Sequence, residues 1–128
     1  MSTHKNVYRI DAADVEGGML IPKDIEGEVD AYELNRSVKS DWAIKVVNDT
    51  DADVDATALV STSDDSAFEA YAEDGAPETA STGDAPDNVV YITGETVAGY
   101  LGAELAADPA PTSGTVTVVF NSRLYGGA

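Results

Sequence analysis

Apolar positions along this chain recur mostly at every second residue, the spacing of strands that bury one face. Trp42, Ile44 and Val46 alternate with Ala43, Lys45 and Val47. Val116, Val118 and Phe120 alternate within 115–120, the clearest strand signal in the sequence. Over 54–62, Ala56, Ala58 and Val60 fall on one side and Asp55, Thr57 and Leu59 on the other. The segment 30–39 carries Tyr32, Leu34 and Val38 at even spacing, 89–93 reads as a further strand, and 68–71 as a short one. Turn-forming residues separate these runs at Ser40-Asp41, 48–53, 63–66 and 109–114. Two stretches admit either reading. In 96–107, Val97, Tyr100, Leu101 and Leu105 have helical spacing, but Gly99 and Gly102 would each weaken a helix by roughly 1 kcal/mol. In 24–34, Gly27 interrupts a helix. Both are read as strands. The segment Glu73 to Asn88 is rich in Gly, Pro, Ser, Thr and Asp without apolar periodicity, which predicts an exposed loop. Residues 1–18 carry little apolar content and are expected to form an N-terminal arm ahead of a β domain at 19–128. The predicted fold is all-β: an antiparallel β-sandwich, jelly-roll-like, of about eight strands.

Composition adds size and solvent. One domain is the prior for 128 residues, and 43% apolar content supports an ordinary core. Trp42 opens an alternating apolar face and is expected to be the central aromatic of that core. The chain has no cysteine, so neither a disulfide nor a thiolate metal site is available. No apolar run approaches the roughly 20 residues of a membrane helix, and no apolar stretch follows Met1-Ser2-Thr3-His4-Lys5-Asn6 as in a secretory signal.

Charge changes the picture most. There are 24 acids against 7 bases, a formal charge of -17. Such a charge on a small domain strains the folded state by self-repulsion in dilute buffer. At molar salt the Debye length shrinks to about 3 Å and the repulsion fades. The acids are interleaved with apolar residues instead of forming a tail. With few lysines and many aspartates, this fits a protein of a halophile; an acidic interaction module of an ordinary organism is the alternative. Without a basic stripe, nucleic-acid binding is disfavoured. The bases are unevenly placed. Lys5, Arg9, Lys23, Arg36, Lys39 and Lys45 precede Val46, and the next base is Arg123, after fifteen acids. Either this is chance among seven bases, or the N-terminal part faces a partner. On the second reading Lys5, Arg9, Arg36, Lys39, Lys45 and Arg123 are the candidate partner-interface residues, and Asp64 to Asp87 faces solvent.

No catalytic motif is present. His4 is the only histidine, in a segment expected to be disordered, and the nucleophile-elbow, phosphate-loop and dinucleotide signatures are missing. Close carboxylate pairs arise by chance at this acid density, so they do not argue for a glycosidase. An enzyme is not expected, nor a cofactor. The alternation Asp49, Asp51, Asp53, Asp55 resembles the start of a calcium loop, but the sixth and twelfth positions, Val54 and Val60, break the pattern. Asn35-Arg36-Ser37 and Asn48-Asp49-Thr50 match the glycosylation sequon.

Three stretches carry a resemblance: Asp41 to Asp51 (DWAIKVVNDTD), Ser63 to Phe68 (SDDSAF) and Ala110 to Val118 (APTSGTVTV). Together they resemble small β-sandwich head and decoration proteins of tailed viruses infecting haloarchaea, over roughly residues 19 to 123. The resemblance implies a capsid decoration (cement) protein, made in the cytoplasm of a halophilic host and carried on the virion. It would bind the major capsid protein shell or other virion proteins as a homo-oligomer, without nucleic acid or membrane. The alternative is a tail or turret module contacting the host surface.

Overall fold

The computed structural model describes residues 3–15, 18–25, 32–34, 40–61, 69–70, 72–73, 76–77, 79–83, 86–96 and 99–124. Two antiparallel sheets stack around one apolar core. The first sheet is built from β1 (Thr3–Asp11), β4 (Ser40–Thr50), β10 (Val89–Thr96) and β12 (Gly114–Leu124) in the spatial order β1-β12-β4-β10. The second has β11 (Tyr100–Ala106) and β5 (Val54–Ser61) at its centre and β2 (Met19–Ile21) at one edge, beside β11. Two-residue β3 (Tyr32–Glu33) extends the β2 edge along β11, and β6 (Glu69–Ala70) and β9 (Thr79–Thr82) share the far edge of β5. A small ribbon pairs β7 (Ala72–Glu73) with β8 (Ala76–Pro77).

Four of these twelve segments are two residues long; the remaining eight, taken in chain order, stand first-eighth-third-sixth in one sheet and second-seventh-fourth-fifth in the other. That is the double Greek-key order of a jelly roll. The sandwich expected from the sequence is the fold observed, and both ambiguous regions contribute strand: β3 within 24–34, β11 within 96–107.

The core follows from alternation. Trp42, Ile44 and Val46 of β4 meet Val116, Val118 and Phe120 of β12, and these six lie in one cluster with Val54, Ala56 and Ala58 of β5 and Leu101, Ala103 and Leu105 of β11. Phe120 stacks on Tyr32 with centroids 5.3 Å apart and meets the edge of Tyr8 at 5.7 Å. Two buried polar contacts join the sheets at opposite ends of this core. Tyr32 Oη and Ser122 Oγ share a hydrogen bond of 2.8 Å, and Asn48 Nδ2 donates to Thr82 Oγ1 at 2.9 Å. Burial pushes the Tyr32 hydroxyl above its usual range, against the lowering effect of Ser122.

Three expectations are corrected. The arm assigned to residues 1–18 contains an integral strand: β1 pairs with β12 over nine positions, and Tyr8, Ile10, Ala12 and Val15 are buried. His4, expected in a disordered terminus, is one of the paired positions, opposite Ser122. The segment Glu73 to Asn88, expected to be a loop, supplies β8 and β9, and Thr82 is 2% exposed. Its hydroxyl replaces an apolar group: it donates to the Val54 carbonyl and accepts from the Val54 and Asn48 N–H groups. Of the strand expected over 30–39, Tyr32 and Glu33 are strand, and 35–39 lie outside the described residues, as does the turn at 63–66.

Candidate functional surface

The outward side chains of the four-stranded sheet form aligned rows, because successive residues alternate between its faces and the strands are in antiparallel register. One row runs Val7, Val119, Lys45, Tyr91 across β1, β12, β4 and β10. The row on one side is Lys5, Asn121, Ala43, Thr93, and on the other Arg9, Thr117, Val47, Val89. These three rows of four positions hold no acid, in a chain with 24. Acids mark the ends of the same face: Asp11 and Asp49 at one, Asp41 and Glu95 at the other.

The patch is also where apolar surface is exposed. Among the described residues the exposed large hydrophobic side chains are Val7 (42%), Val89 (39%) and Tyr91 (62%), and all three stand in it. Single exposed apolar residues are ordinary; their convergence with three bases is not. Lys45 Nζ sits 5.8 Å from the centroid of the Tyr91 ring, so the cation leans over the aromatic face. The outer face of the second sheet differs: Glu33, Asp55 and Glu104 are exposed on it, around a half-buried Leu59.

The structure thus brings Lys5, Arg9 and Lys45 together from β1 and β4. Arg123 continues β12 opposite Thr3 and Asp41. Arg36 and Lys39 lie outside the described residues. Sequence reasoning missed Val7, Val89 and Tyr91. The signal available was their alternation with buried Tyr8 and Ile92, but which outer residues become neighbours depends on long-range register.

Other polar clusters are committed to structure. In the acidic run 49–55, Asp51 accepts hydrogen bonds from the Thr112 amide (2.7 Å), the Thr112 hydroxyl and the Ser113 amide (3.2 Å). The Thr112 hydroxyl, then the Thr112 and Ser113 amides, hold the Asp51 carboxyl below its usual range, against a smaller desolvation effect. Asp49 accepts from Asn88 Nδ2 at 3.3 Å. In the sequon at Asn48, the amide is 4% exposed; Nδ2 donates to Ala52 O and Thr82 Oγ1, and Oδ1 accepts from the Thr50 amide and hydroxyl. Asn35 lies outside the described residues.

An open groove of about 700 Å³ is bordered by Asp53, Asp55, Asp108, Ser81 and Thr82, with no base or aromatic ring among the described residues along it. Among the described residues no three His, Cys, Asp or Glu side chains converge as a metal would require. No helix among them is long and apolar enough to cross a membrane.

No protein family matches the sequence, and no curated protein does. Among solved structures, the chain is similar to a cleaved adhesin domain of Lys-gingipain from Porphyromonas gingivalis, at TM-score 0.52 and 11% identity, covering 98% of this chain and all of that one (100%). It also aligns with the Triatoma virus empty capsid (TM-score 0.43, 9% identity, 98% of this chain and 88% of that one). A third alignment is with the mitogen of Yersinia pseudotuberculosis (TM-score 0.36, 10% identity, 99% and 89%). The adhesin likeness is one of fold. The class is therefore an antiparallel jelly-roll β-sandwich with one acid-free outer patch.

Proposed function

We propose that the chain is a non-enzymatic virion structural protein, a decoration protein on the major capsid protein shell of a halophilic tailed virus. The observation that carries this reading is the acid-free patch. A protein with formal charge -17 repels similar neighbours unless bases or cations lie between them, and this face places Lys5, Arg9 and Lys45 beside exposed Val7, Val89 and Tyr91. Apolar contact supplies affinity there and the bases set orientation, since exposed ion pairs contribute about 0–1 kcal/mol and salt weakens them further. The acidic outer face of the other sheet is then left toward brine. Jelly rolls recur in viral capsid and lectin domains; that analogy is at the level of fold, whereas the patch argues from the surface itself.

The test is the copy number of this chain in purified particles, measured by quantitative mass spectrometry. A number matching the capsid lattice is expected. A few copies at one vertex would move the chain to a tail or turret contacting the host surface. Absence from particles would overturn the reading.

A further inference from the structure

We propose that in the free protein a second copy of this chain covers the acid-free patch, stacked face to face about a two-fold axis parallel to the strands, and gives way to the shell in the particle. This rests on reading the patch as a protein contact, as above. The argument is one of self-complementarity. An axis lying between the stacked sheets and passing between β12 and β4 reverses each row while keeping its level along the strands. Val7 then faces the partner's Tyr91, and Val119 faces the partner's Lys45. Arg9 lies over the partner's Val89, Thr117 over the partner's Val47, and Lys5 over the partner's Thr93. No two bases stack, and each long basic side chain lays its methylene stem on an uncharged residue.

A two-fold axis perpendicular to the strands fails the same comparison. It sets Lys45 on Lys45, Arg9 on Lys5 and Asp49 on Asp41, like charge against like at three places. Stacking the patch on the acidic face of another copy matches charge but is heterologous, so it grows without closing. Of these three arrangements, the parallel axis is the one that gives a closed pair with matched chemistry. Its central patch spans roughly 14 Å by 14 Å between outermost Cα positions. That is a small contact, so the pair is a concentration-dependent dimer.

The mass of the free protein in molar KCl, followed by light scattering across concentration, reads the pair directly. A monomer–dimer equilibrium is expected. Tyr91→Ser and Val7→Ser, both at exposed positions, should each weaken it about tenfold or more while circular dichroism and melting stay unchanged. Glu104→Gln, on the other sheet's outer face, should leave it intact. The absence of cysteine allows the axis to be tested. A mixture of Val7→Cys and Tyr91→Cys chains treated with a short bis-maleimide should yield cross-linked dimer, and neither variant alone should. Cross-linking of Val7→Cys alone, growth beyond the dimer, or a monomer at every concentration would each overturn the proposal. None of these outcomes bears on the particle copy number, so the two readings fail separately.

Discussion

Asn48 Nδ2 and Thr82 Oγ1 lie 2.9 Å apart, and their hydrogen bond ties the centre of one sheet to the edge of the other. Both side chains are buried, and Asn48 also donates to Ala52 O at 2.7 Å and receives the Thr50 amide at 3.0 Å. Asn48→Ala leaves the part-buried Ala52 carbonyl, the buried Thr82 hydroxyl and the Thr50 donors without this partner. The expected loss is about 1–3 kcal/mol, read from the denaturant midpoint. A variant within experimental error of the wild type would mean that water replaces the amide at no cost.

Asp51 brings pH into stability. Its carboxyl has a lower pKa when folded than when unfolded, owing to the Thr112 and Ser113 donors. The contribution is therefore complete above the ordinary carboxylate value and disappears as pH falls through the depressed folded value. Asp51→Asn should flatten the acid side of the melting-temperature profile relative to the wild type. Parallel profiles for the two proteins would contradict the clamp.

Two glycines with similar backbone angles should respond differently to alanine. Gly114 has φ 97°, and a Cβ there would overlap the Asp49 carbonyl oxygen, backbone that has no room to yield. Gly18 has φ 98°, but the nearest atom to its Cβ would be Glu104 Oε2 at 4.0 Å. Gly114→Ala should cost about 3 kcal/mol or more, from strain and overlap together. Gly18→Ala should cost about 1–2 kcal/mol, from backbone conformation alone. Equal losses in chemical denaturation would refute the distinction.

The charge of -17 predicts salt dependence. Lowering KCl from molar to about 0.1 M lengthens screening from about 3 to 10 Å and exposes the self-repulsion. The melting temperature should fall, and a melting temperature indifferent to KCl would argue against adaptation to brine.

How much of this was legible in the sequence varies with what each strand buries. β4 and β12 announce themselves because Trp42, Ile44, Val46, Val116, Val118 and Phe120 are large and evenly spaced. β1 has Tyr8 and Ile10 as its buried strand pair, between the polar Asn6, Arg9 and Asp11, so it reads as an arm. β9 is Thr-Ala-Ser-Thr, and its buried anchor Thr82 is held by hydrogen bonds that no hydropathy pattern reports. The uneven placement of bases pointed to Lys5, Arg9 and Lys45. Their meeting with Val7, Val89 and Tyr91 depends on pairings between strands far apart in the chain, and local spacing does not encode those.

The pairing of β1 with β12 sets Thr3 opposite Arg123 and places the last strand between the first and the fourth. During synthesis the ribosome makes β1 first, yet the template it pairs with emerges only after some hundred further residues. Until then β1 and β4 have no strand to link them, and Ile44 and Val46 lack their neighbours in the same sheet, Phe120 and Val118. A nascent chain stopped before Gly114 should therefore remain sensitive to protease, and extension through β12 should convert it to a resistant state in one cooperative step. Closure of this sheet is in that sense timed by the synthesis of β12 and not by that of the strands it joins.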